Sequence, residues 1–374
     1  MKKSISLILL LAIIVGCFSF ISYRSKYFAS DLKVAILVPD VVDDNFIGPM
    51  VSDAAKQLKS QGITADIVEC KGDNYRIRMT EAATSHEMVV CVGRYFWEIG
   101  DVSREYPSVK FVWMNNTVEK PEDYPNLENV TFYENQGSYI AGYLAAAMTE
   151  SGVIGIVVSE NNSSAVRYAA GFIQGAKAVN SSIDVVTVLA GTGDLEGGRL
   201  PAMAAINRDA DVLLEVGFGT SVGFFQAAKE NDVYVIGTDT DKKLALPQYD
   251  DLILCSVRKN IGRAIVRVIT RYDDYSQFSG GKNISVGMND GYVEVTYGGD
   301  YSAQLVDENL ISQLGYLKDS IISQAITVNQ TTKVIDKALV VSGYEETDDV
   351  EDTGSGTSGT GEDGGDEPLI VPDK

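Results

Sequence analysis

Short apolar runs alternate with helical patterns from Val34 to Ile269, and this alternation restricts the fold more than any other feature of the chain. Runs of this kind are typical of strands buried on both faces of a sheet. Each run leads into a helix through a short connection, which predicts parallel sheets with right-handed crossovers. The first cycle closes with a predicted strand, Val130–Phe132, and a helix ending near Met148, and the cycle begins again at Val153. The sequence therefore predicts two doubly wound α/β lobes.

The loop after the first run is rich in acids and ends in an aromatic ring. It carries Asp40, Asp43 and Asp44, and Phe46 opens the following helix. In open α/β sheets such loops lie at the carboxyl edge, where ligands bind. The loop has acceptors and one ring but no lysine or arginine. It therefore predicts a neutral, flat ligand that donates hydrogen bonds, and it is poorly suited to an anion.

A second strand-to-helix loop, residues 217–223, is rich in glycine and precedes a strand that ends at Asp239. This context resembles a dinucleotide-binding turn. The spacing G-x-G-x-x-x-G, with bulky Phe218 between Gly217 and Gly219, disfavours nicotinamide binding. We interpret the loop as a cleft wall with Phe218 as a stacking face. The alternative is a plain tight turn.

Further polar candidates follow later strands. Asp239 stands at a strand end, where a carboxylate can accept hydrogen bonds from two sugar hydroxyls. Asp241 could do the same or cap a helix, and the pair lacks the glycine and glutamate of a calcium loop. Lys259 either reaches the cleft or is solvated. His86 is the sole histidine, and no Ser-His-Asp or Cys-His set can be built around it. The sequence also contains nothing that resembles a phosphate-binding loop. We predict neither a metal nor a cofactor.

The amino terminus predicts export. Lys2 and Lys3 precede an apolar run, as in a signal peptide spanning residues 1–16. The sequence Ile14–Cys17 looks like a bacterial lipobox, which would make Cys17 a lipidated first residue followed by a tether over 17–32. The apolar run continues to Ile21, so an uncleaved membrane anchor is the alternative. Either form holds the folded part outside the cytoplasmic membrane.

The net charge argues against one class of partner, and the cysteine content argues against a disulfide framework. The net charge of −21 argues against nucleic acid. The segment 345–374 holds eleven acids and one lysine among Gly, Ser and Thr, so we expect it to be disordered. The cysteines after Cys17 are Cys70, Cys91 and Cys255, which form no disulfide framework.

Lobe boundaries follow from the repeated cycle. We assign residues 33–135 with about 241–272 to lobe one, and 136–240 with about 273–344 to lobe two. The alternating segments around Val286 and Val295, separated by Asn289-Asp290-Gly291, predict an antiparallel hairpin. Chain crossings between the lobes would form a hinge. Two facing loop sets predict an interlobe cleft, a usual place for a small ligand.

Several short motifs occur along the chain in a characteristic order and spacing. They are Asp43-Asp44-x-Phe46, the segment 136–143, Gly171-Phe172 with Gly175, Val216–Gly219, Ile236–Asp239, and Lys259 after Ser256-Val257. On these residues the chain from Lys33 to Leu339 resembles the basic membrane protein family of bacterial lipoproteins, also called the purine nucleoside receptor family.

The resemblance implies a periplasmic-binding-protein type I fold, with two lobes clamping a nucleoside, most readily a purine nucleoside. The protein would be the substrate-binding component of an ABC importer, with permease and ATPase partners and no enzymatic activity. Phe46 matches the family's first stacking ring, and Phe218, beside Gly219, is our choice for the second. Asp239 and Lys259 match the positions that hold the ribose hydroxyls. Asp40, with Asp43 or Asp44, would face the base or the sugar.

Other functions remain open at this point. A surface lipoprotein of the same fold could sense its ligand without any transporter, or the cleft could take another small sugar-like molecule. A hydrolase that processes a sugar or a nucleoside would instead turn its ligand over.

Overall fold

The computed structural model describes residues 30–39, 47–72, 74–191, 196–217, 222–298 and 304–341. Its first sheet contains, in chain order, β1 (Val34–Pro39), β2 (Ala65–Cys70), β3 (Met88–Val92), β4 (Lys110–Met114), β5 (Leu127–Phe132) and β11 (Lys282–Val286). The strands lie in the order β11-β5-β4-β3-β1-β2, and every pairing is parallel.

The second sheet repeats this architecture. It contains β6 (Val153–Val158), β7 (Asp184–Ala190), β8 (Val212–Val216), β9 (Tyr234–Asp239), β10 (Ile253–Lys259), β12 (Val293–Thr296) and β13 (Leu339–Val341). The strand order is β12-β10-β9-β8-β6-β7-β13, with β12 antiparallel to β10 and the other pairings parallel. The prediction of two doubly wound parallel-sheet lobes is confirmed.

Helices connect the strands and cover the sheets. They are α1 (Ile47–Ser60), α2 (Tyr75–Ser85), α3 (Ile99–Glu105), α4 (Glu134–Met148), α5 (Ser163–Val179), α6 (Arg199–Ile206), α7 (Val222–Glu230), α8 (Lys242–Ala245), α9 (Ile261–Tyr275) and α10 (Glu308–Ile322). In β1, Ile36 belongs to one hydrophobic core and Leu37 to another on the opposite face. Burial on both faces explains why the strands are continuously apolar.

Helices α4 and α5 pack unusually closely. A side chain at Gly171 would overlap the backbone carbonyl of Asn135, and one at Gly175 would overlap that of Tyr139. Glycine at these positions lets the two helix backbones approach each other. This packing sets the start of α4 beside the first turns of α5, where several polar side chains of the candidate site lie.

Within the described residues, the chain crosses between the sheets at three connections: β5 to α4, β10 to α9, and β11 to β12. The connections are hydrogen-bonded to one another. The backbone N–H of Tyr133 donates to the Val286 carbonyl at 2.8 Å, and that of Asn260 donates to the Tyr292 carbonyl at 2.8 Å. These three connections form the hinge region between the lobes.

Helix α9 returns the chain to the first lobe. It packs against α1, and the Arg271 guanidinium contacts both carboxylate oxygens of Glu128 in β5, at 2.8 and 2.6 Å. The Ser279 N–H also donates to Glu128, at 2.8 Å. Glu128 is fully buried, so this pair fixes α9 on the first sheet.

Our predicted lobe boundaries differ from the observed crossings. Strand β10 lies within the segment 241–272, which we assigned to lobe one, but it pairs in the second sheet. Strand β11 lies within 273–344, which we assigned to lobe two, but it pairs in the first sheet. An alternating pattern identifies a strand without identifying the sheet that its hydrogen bonds complete.

The predicted hairpin is wrong for the same reason. The turn exists, with Gly291 at a φ of 69°. However, β11 pairs with β5 and β12 pairs with β10, so the turn belongs to a crossing between sheets.

Several predictions fall outside the described residues. These are the signal peptide, Cys17, most of the tether and the acidic segment 345–374. Among the described residues, no helix is both long enough and apolar enough to span a membrane.

Candidate functional site

Four polar residues stand at the carboxyl ends of strands or directly after them. Asn115 follows β4, Glu134 begins α4 just after β5, Asp239 ends β9 and Lys259 ends β10. Asn115 and Asp239 have left-handed backbone conformations, with φ values of 66° and 70°. Asn and Asp tolerate this conformation better than other non-glycine residues, and strained backbones cluster at functional sites.

Lys259 and Asp239 form the centre of the site. The Lys259 ammonium lies 2.7 Å from Asp239 Oδ1, and the two side chains are 2% and 16% exposed. The Tyr168 hydroxyl donates to Asp239 Oδ1 at 3.0 Å. Burial, and then the charges of Asp239 and Glu134, raise the pKa of Tyr168 well above its ordinary value. Tyr168 therefore remains a neutral donor.

Glu134 forms a second, deeper part of the same network. Its carboxylate is fully buried and accepts from Arg167 Nε at 2.5 Å, from Arg167 Nη2 at 3.2 Å and from the Ser164 hydroxyl at 2.7 Å. The Lys259 ammonium lies 3.6 Å from Glu134 Oε1. Two carboxylates thus balance two cations. This arrangement favours an uncharged polar ligand, because neither cation lacks a carboxylate partner.

Among the described residues, two side-chain contacts join the carboxyl edges of the two sheets. Asn115 Oδ1, beyond the first sheet, accepts from the Lys259 ammonium at 3.3 Å. Arg94, which follows β3, pairs with Glu160, which follows β6. The first contact is at the network itself, whereas both partners of the second are about half exposed. The carboxyl edges of both sheets therefore meet at a common site.

Comparison with known proteins identifies the family. A model of the PnrA-like ABC transporter substrate-binding proteins, the Bmp family, matches residues 31–332. The chain belongs to this family. It is 24% identical over 339 residues to basic membrane protein A1 of Borrelia garinii subsp. bavariensis, covering 88% of this chain and 98% of that protein.

Solved structures of other substrate-binding proteins share the fold. A solute-binding protein of an ABC transporter system from Aeropyrum pernix K1 superposes with a TM-score of 0.67 at 19% identity, covering 82% of this chain and 96% of that one. One from Conexibacter woesei gives 0.62 at 20% identity, covering 80% and 99%. At these identities the similarity shows the type I fold alone. Together with the family match, it makes the chain an ABC substrate-binding protein for small ligands.

The structure brings together two of the predicted site residues, Asp239 and Lys259. The alternative of a solvated Lys259 is wrong, because its side chain is 2% exposed. The other predicted residues lie outside the described ranges: Asp40, Asp43, Asp44 and Phe46 between β1 and α1, and Phe218 and Gly219 between β8 and α7. Their roles remain predictions.

Asp241 has the second of the two roles considered for it. Its side chain accepts from the Leu244 N–H at 3.4 Å and caps α8. In the described part of the chain, no three His, Cys, Asp or Glu side chains are grouped so as to hold a metal ion.

Sequence reasoning missed Glu134, Ser164, Arg167 and Tyr168. Glu134 had a usable signal, because it closely follows the predicted strand Val130–Phe132, just as Asp239 ends another strand. The three residues on α5 had none. They face the site only because α4 and α5 pack closely, which is a tertiary property.

Another buried ion pair lies beneath the edge of the second sheet. The Lys242 ammonium lies 3.5 Å from Glu215 Oε2, and both side chains are buried. Glu215 also accepts from the Thr238 N–H at 3.3 Å. A side chain at Gly237 would overlap Lys242, so this glycine makes room for the lysine. The pair supports the strand end that carries Asp239.

Two surface hollows of about 460 and 380 Å³ lie along α5, away from this network. Both are lined in part by Ile173, Lys177 and Thr332. Neither lining includes Asp239 or Lys259, so we do not assign the ligand to them.

Proposed function

We propose that this protein captures a nucleoside between its lobes, outside the cytoplasmic membrane, and delivers it to the permease and ATPase subunits of an ABC importer. The Lys259–Asp239 pair carries this proposal, because it stands at the carboxyl edge of the second sheet in a member of the ABC substrate-binding family.

The pair is suited to a ribose. A sugar hydroxyl both donates and accepts, and here an ammonium donor stands 2.7 Å from a carboxylate acceptor. Neighbouring hydroxyls could bond to both groups at once. Hydrogen bonds to charged groups contribute about 1.5–3 kcal/mol each. The carboxylate of Asp239 is 16% exposed, so it remains reachable.

The charge balance favours a nucleoside over a nucleotide. Arg167 and Lys259 are already matched by Glu134 and Asp239. A phosphate would bring negative charge to a site where both cations are already paired, and burying an unpaired charge is unfavourable.

For the base we propose stacking between Phe46 and Phe218. Residues 40–46 directly follow the end of β1, and Phe218 and Gly219 directly follow the glycine after β8, so both segments begin at carboxyl strand ends. Base–aromatic stacking contributes about 1–3 kcal/mol per base. Asp40, with Asp43 or Asp44, would accept hydrogen bonds from the base or the sugar.

For the location we propose that lipidated Cys17 holds the protein at the outer face of the cytoplasmic membrane. Mass spectrometry of the mature amino-terminal peptide tests this. A diacylated peptide beginning at Cys17 is expected, and a peptide retaining Met1 would indicate the uncleaved anchor instead.

Titration calorimetry tests ligand capture. We expect inosine, guanosine or adenosine to bind with micromolar or lower Kd, and ribose, free bases and nucleoside monophosphates to bind at least tenfold more weakly. Phe46→Ala should weaken nucleoside binding at least tenfold, through loss of one stacking face, with an almost unchanged Tm. Failure of all nucleosides to bind would contradict the proposal. Release of free base on prolonged incubation, measured by chromatography, would indicate a hydrolase.

A further inference from the structure

The ammonium group of Lys259 has three acceptors at hydrogen-bond distance and a fourth oxygen slightly beyond it. Asp239 Oδ1 lies at 2.7 Å, Asn115 Oδ1 and the Ser164 hydroxyl each at 3.3 Å, and Glu134 Oε1 at 3.6 Å. A lysine ammonium has three protons. The ammonium can therefore exchange one acceptor for another without losing all of its hydrogen bonds.

These acceptors belong to different parts of the molecule. Asn115 follows β4 of the first sheet, so its contact with Lys259 depends on the lobes being close together. Glu134 and Ser164 begin α4 and α5, which pack on each other, and α4 also packs on β10 and β12. Their contacts with Lys259 lie within the second lobe. Separation of the lobes would remove Asn115 and leave Asp239, Glu134 and Ser164, which all belong to the second lobe.

Glu134 is itself held firmly. Its fully buried carboxylate receives two hydrogen bonds from the Arg167 guanidinium and one from Ser164. The backbone beneath it is fixed by the close packing of α4 on α5 at Gly171. A carboxylate held in this way can attract the Lys259 ammonium without moving towards it.

The pair also adjoins the hinge. Glu134 is the first residue of α4, directly after the β5-to-α4 crossing, and Lys259 is the last residue of β10, directly before the crossing to α9. At that crossing the Asn260 N–H bonds to the Tyr292 carbonyl, on the connection from β11 to β12. Lobe rotation about these connections would pivot beside the pair.

We infer that Glu134 is a positioning residue that holds the Lys259 ammonium ready for the ligand while the lobes are open. The inference rests on the proposed function, in which Lys259 contacts the sugar. Without the Glu134 charge, Asp239 would be the one carboxylate beside the ammonium, with the Ser164 hydroxyl as a neutral acceptor. The ammonium would then follow Asp239, and ligand binding would have to order it. A side chain that is already in place spares that ordering, and affinity rises accordingly.

Glu134→Gln tests this with inosine as the probe, because it removes the charge and keeps the size. Glu128→Gln is the matched control. Glu128 is equally buried and is paired with an arginine, but its contacts with Arg271 and Ser279 lie in the first lobe. Glu134 either positions Lys259 or serves only to neutralise Arg167. The double variant Glu134→Gln/Arg167→Gln distinguishes these two roles, because it removes the Arg167 charge together with the Glu134 charge.

We expect Glu134→Gln and the double variant to weaken inosine binding at least tenfold by calorimetry, and Glu128→Gln to change Kd less than twofold despite a lower Tm. An unchanged Kd in Glu134→Gln would overturn the inference. So would recovery of wild-type affinity in the double variant, because Glu134 would then serve only Arg167.

A ligand-free measurement keeps the two proposals separate. In ¹⁵N-lysine NMR spectra, the Lys259 ammonium signal, assigned from its loss in Lys259→Gln, should shift or broaden in Glu134→Gln and stay unchanged in Glu128→Gln. An unchanged signal in Glu134→Gln refutes positioning, whatever the protein binds. If wild-type protein bound no nucleoside while this signal moved, the nucleoside proposal would fail and the positioning of Lys259 by Glu134 would stand.

Discussion

Two fully buried glutamates six positions apart have similar arginine partners but different surroundings. Glu128 lies in β5 and receives two contacts from Arg271 and one from the Ser279 N–H. Glu134 follows the same strand and receives two from Arg167, but it also faces Lys259. The first pair fixes a helix on a sheet. The second adjoins an ammonium that contacts Asp239, so the same chemistry serves structure in one place and the candidate site in the other.

The largest expected effect would break the structural pair. Arg271→Met leaves the Glu128 carboxylate buried without its cation, which should lower the free energy of unfolding by about 3–5 kcal/mol. Urea denaturation monitored by circular dichroism measures it. Inosine affinity should remain within twofold of wild type at a temperature where the variant is folded. A large loss of affinity would mean that the first-lobe pair also shapes the site.

Removing the Lys259 ammonium should mainly affect ligand binding. Lys259→Met takes a charged donor from the sugar, and we expect a loss of nucleoside affinity of about a hundredfold, in line with about 1.5–3 kcal/mol for one charged hydrogen bond. Calorimetry measures Kd, and Lys229→Met is the control, because that lysine pairs with Asp251 and has no contact with the network around Lys259. Equal losses in both variants would contradict a specific role for Lys259.

The smallest effect is expected at the other contact between the lobes. Arg94 and Glu160 are about half exposed, and exposed ion pairs contribute roughly 0–1 kcal/mol. Arg94→Gln should therefore change nucleoside Kd less than about threefold. Raising the salt concentration should remove the difference from wild type. A change of tenfold or more would show that this exposed pair controls lobe closure.

Strand positions were the most predictable part of the fold. The bounds of β3, β4, β6 and β8 agree with the apolar runs in the sequence, because burial on both faces demands apolar residues throughout. Strand β5 was predicted from Val130 but begins at Leu127. Its polar residues Glu128 and Asn129 obscure the pattern, and Glu128 is buried there only because Arg271, far along the chain, neutralises it.

The candidate site also has a part that the sequence predicts and a part that it does not. Asp239 was identifiable because it ends a strand, and the ends of parallel strands lie at one edge of a sheet. Lys259 was predicted to follow a strand, and the pattern alone left it either in the cleft or solvated. The 2.7 Å contact between Asp239 and Lys259 follows from the pairing of β9 with β10.

Local pattern was thus enough to specify the class of fold, most strands and Asp239, whereas the assignment of Lys259 to the site came from the family resemblance. Long-range packing specified the rest: which sheet receives β10 and β11, where the hinge lies, and which charges surround Lys259. The physical reason is that a strand's apolar pattern depends on its own burial, whereas its sheet partners depend on backbone groups that are identical in every strand. Likewise, Glu134 and Arg167 meet only because glycines let α4 and α5 pack closely.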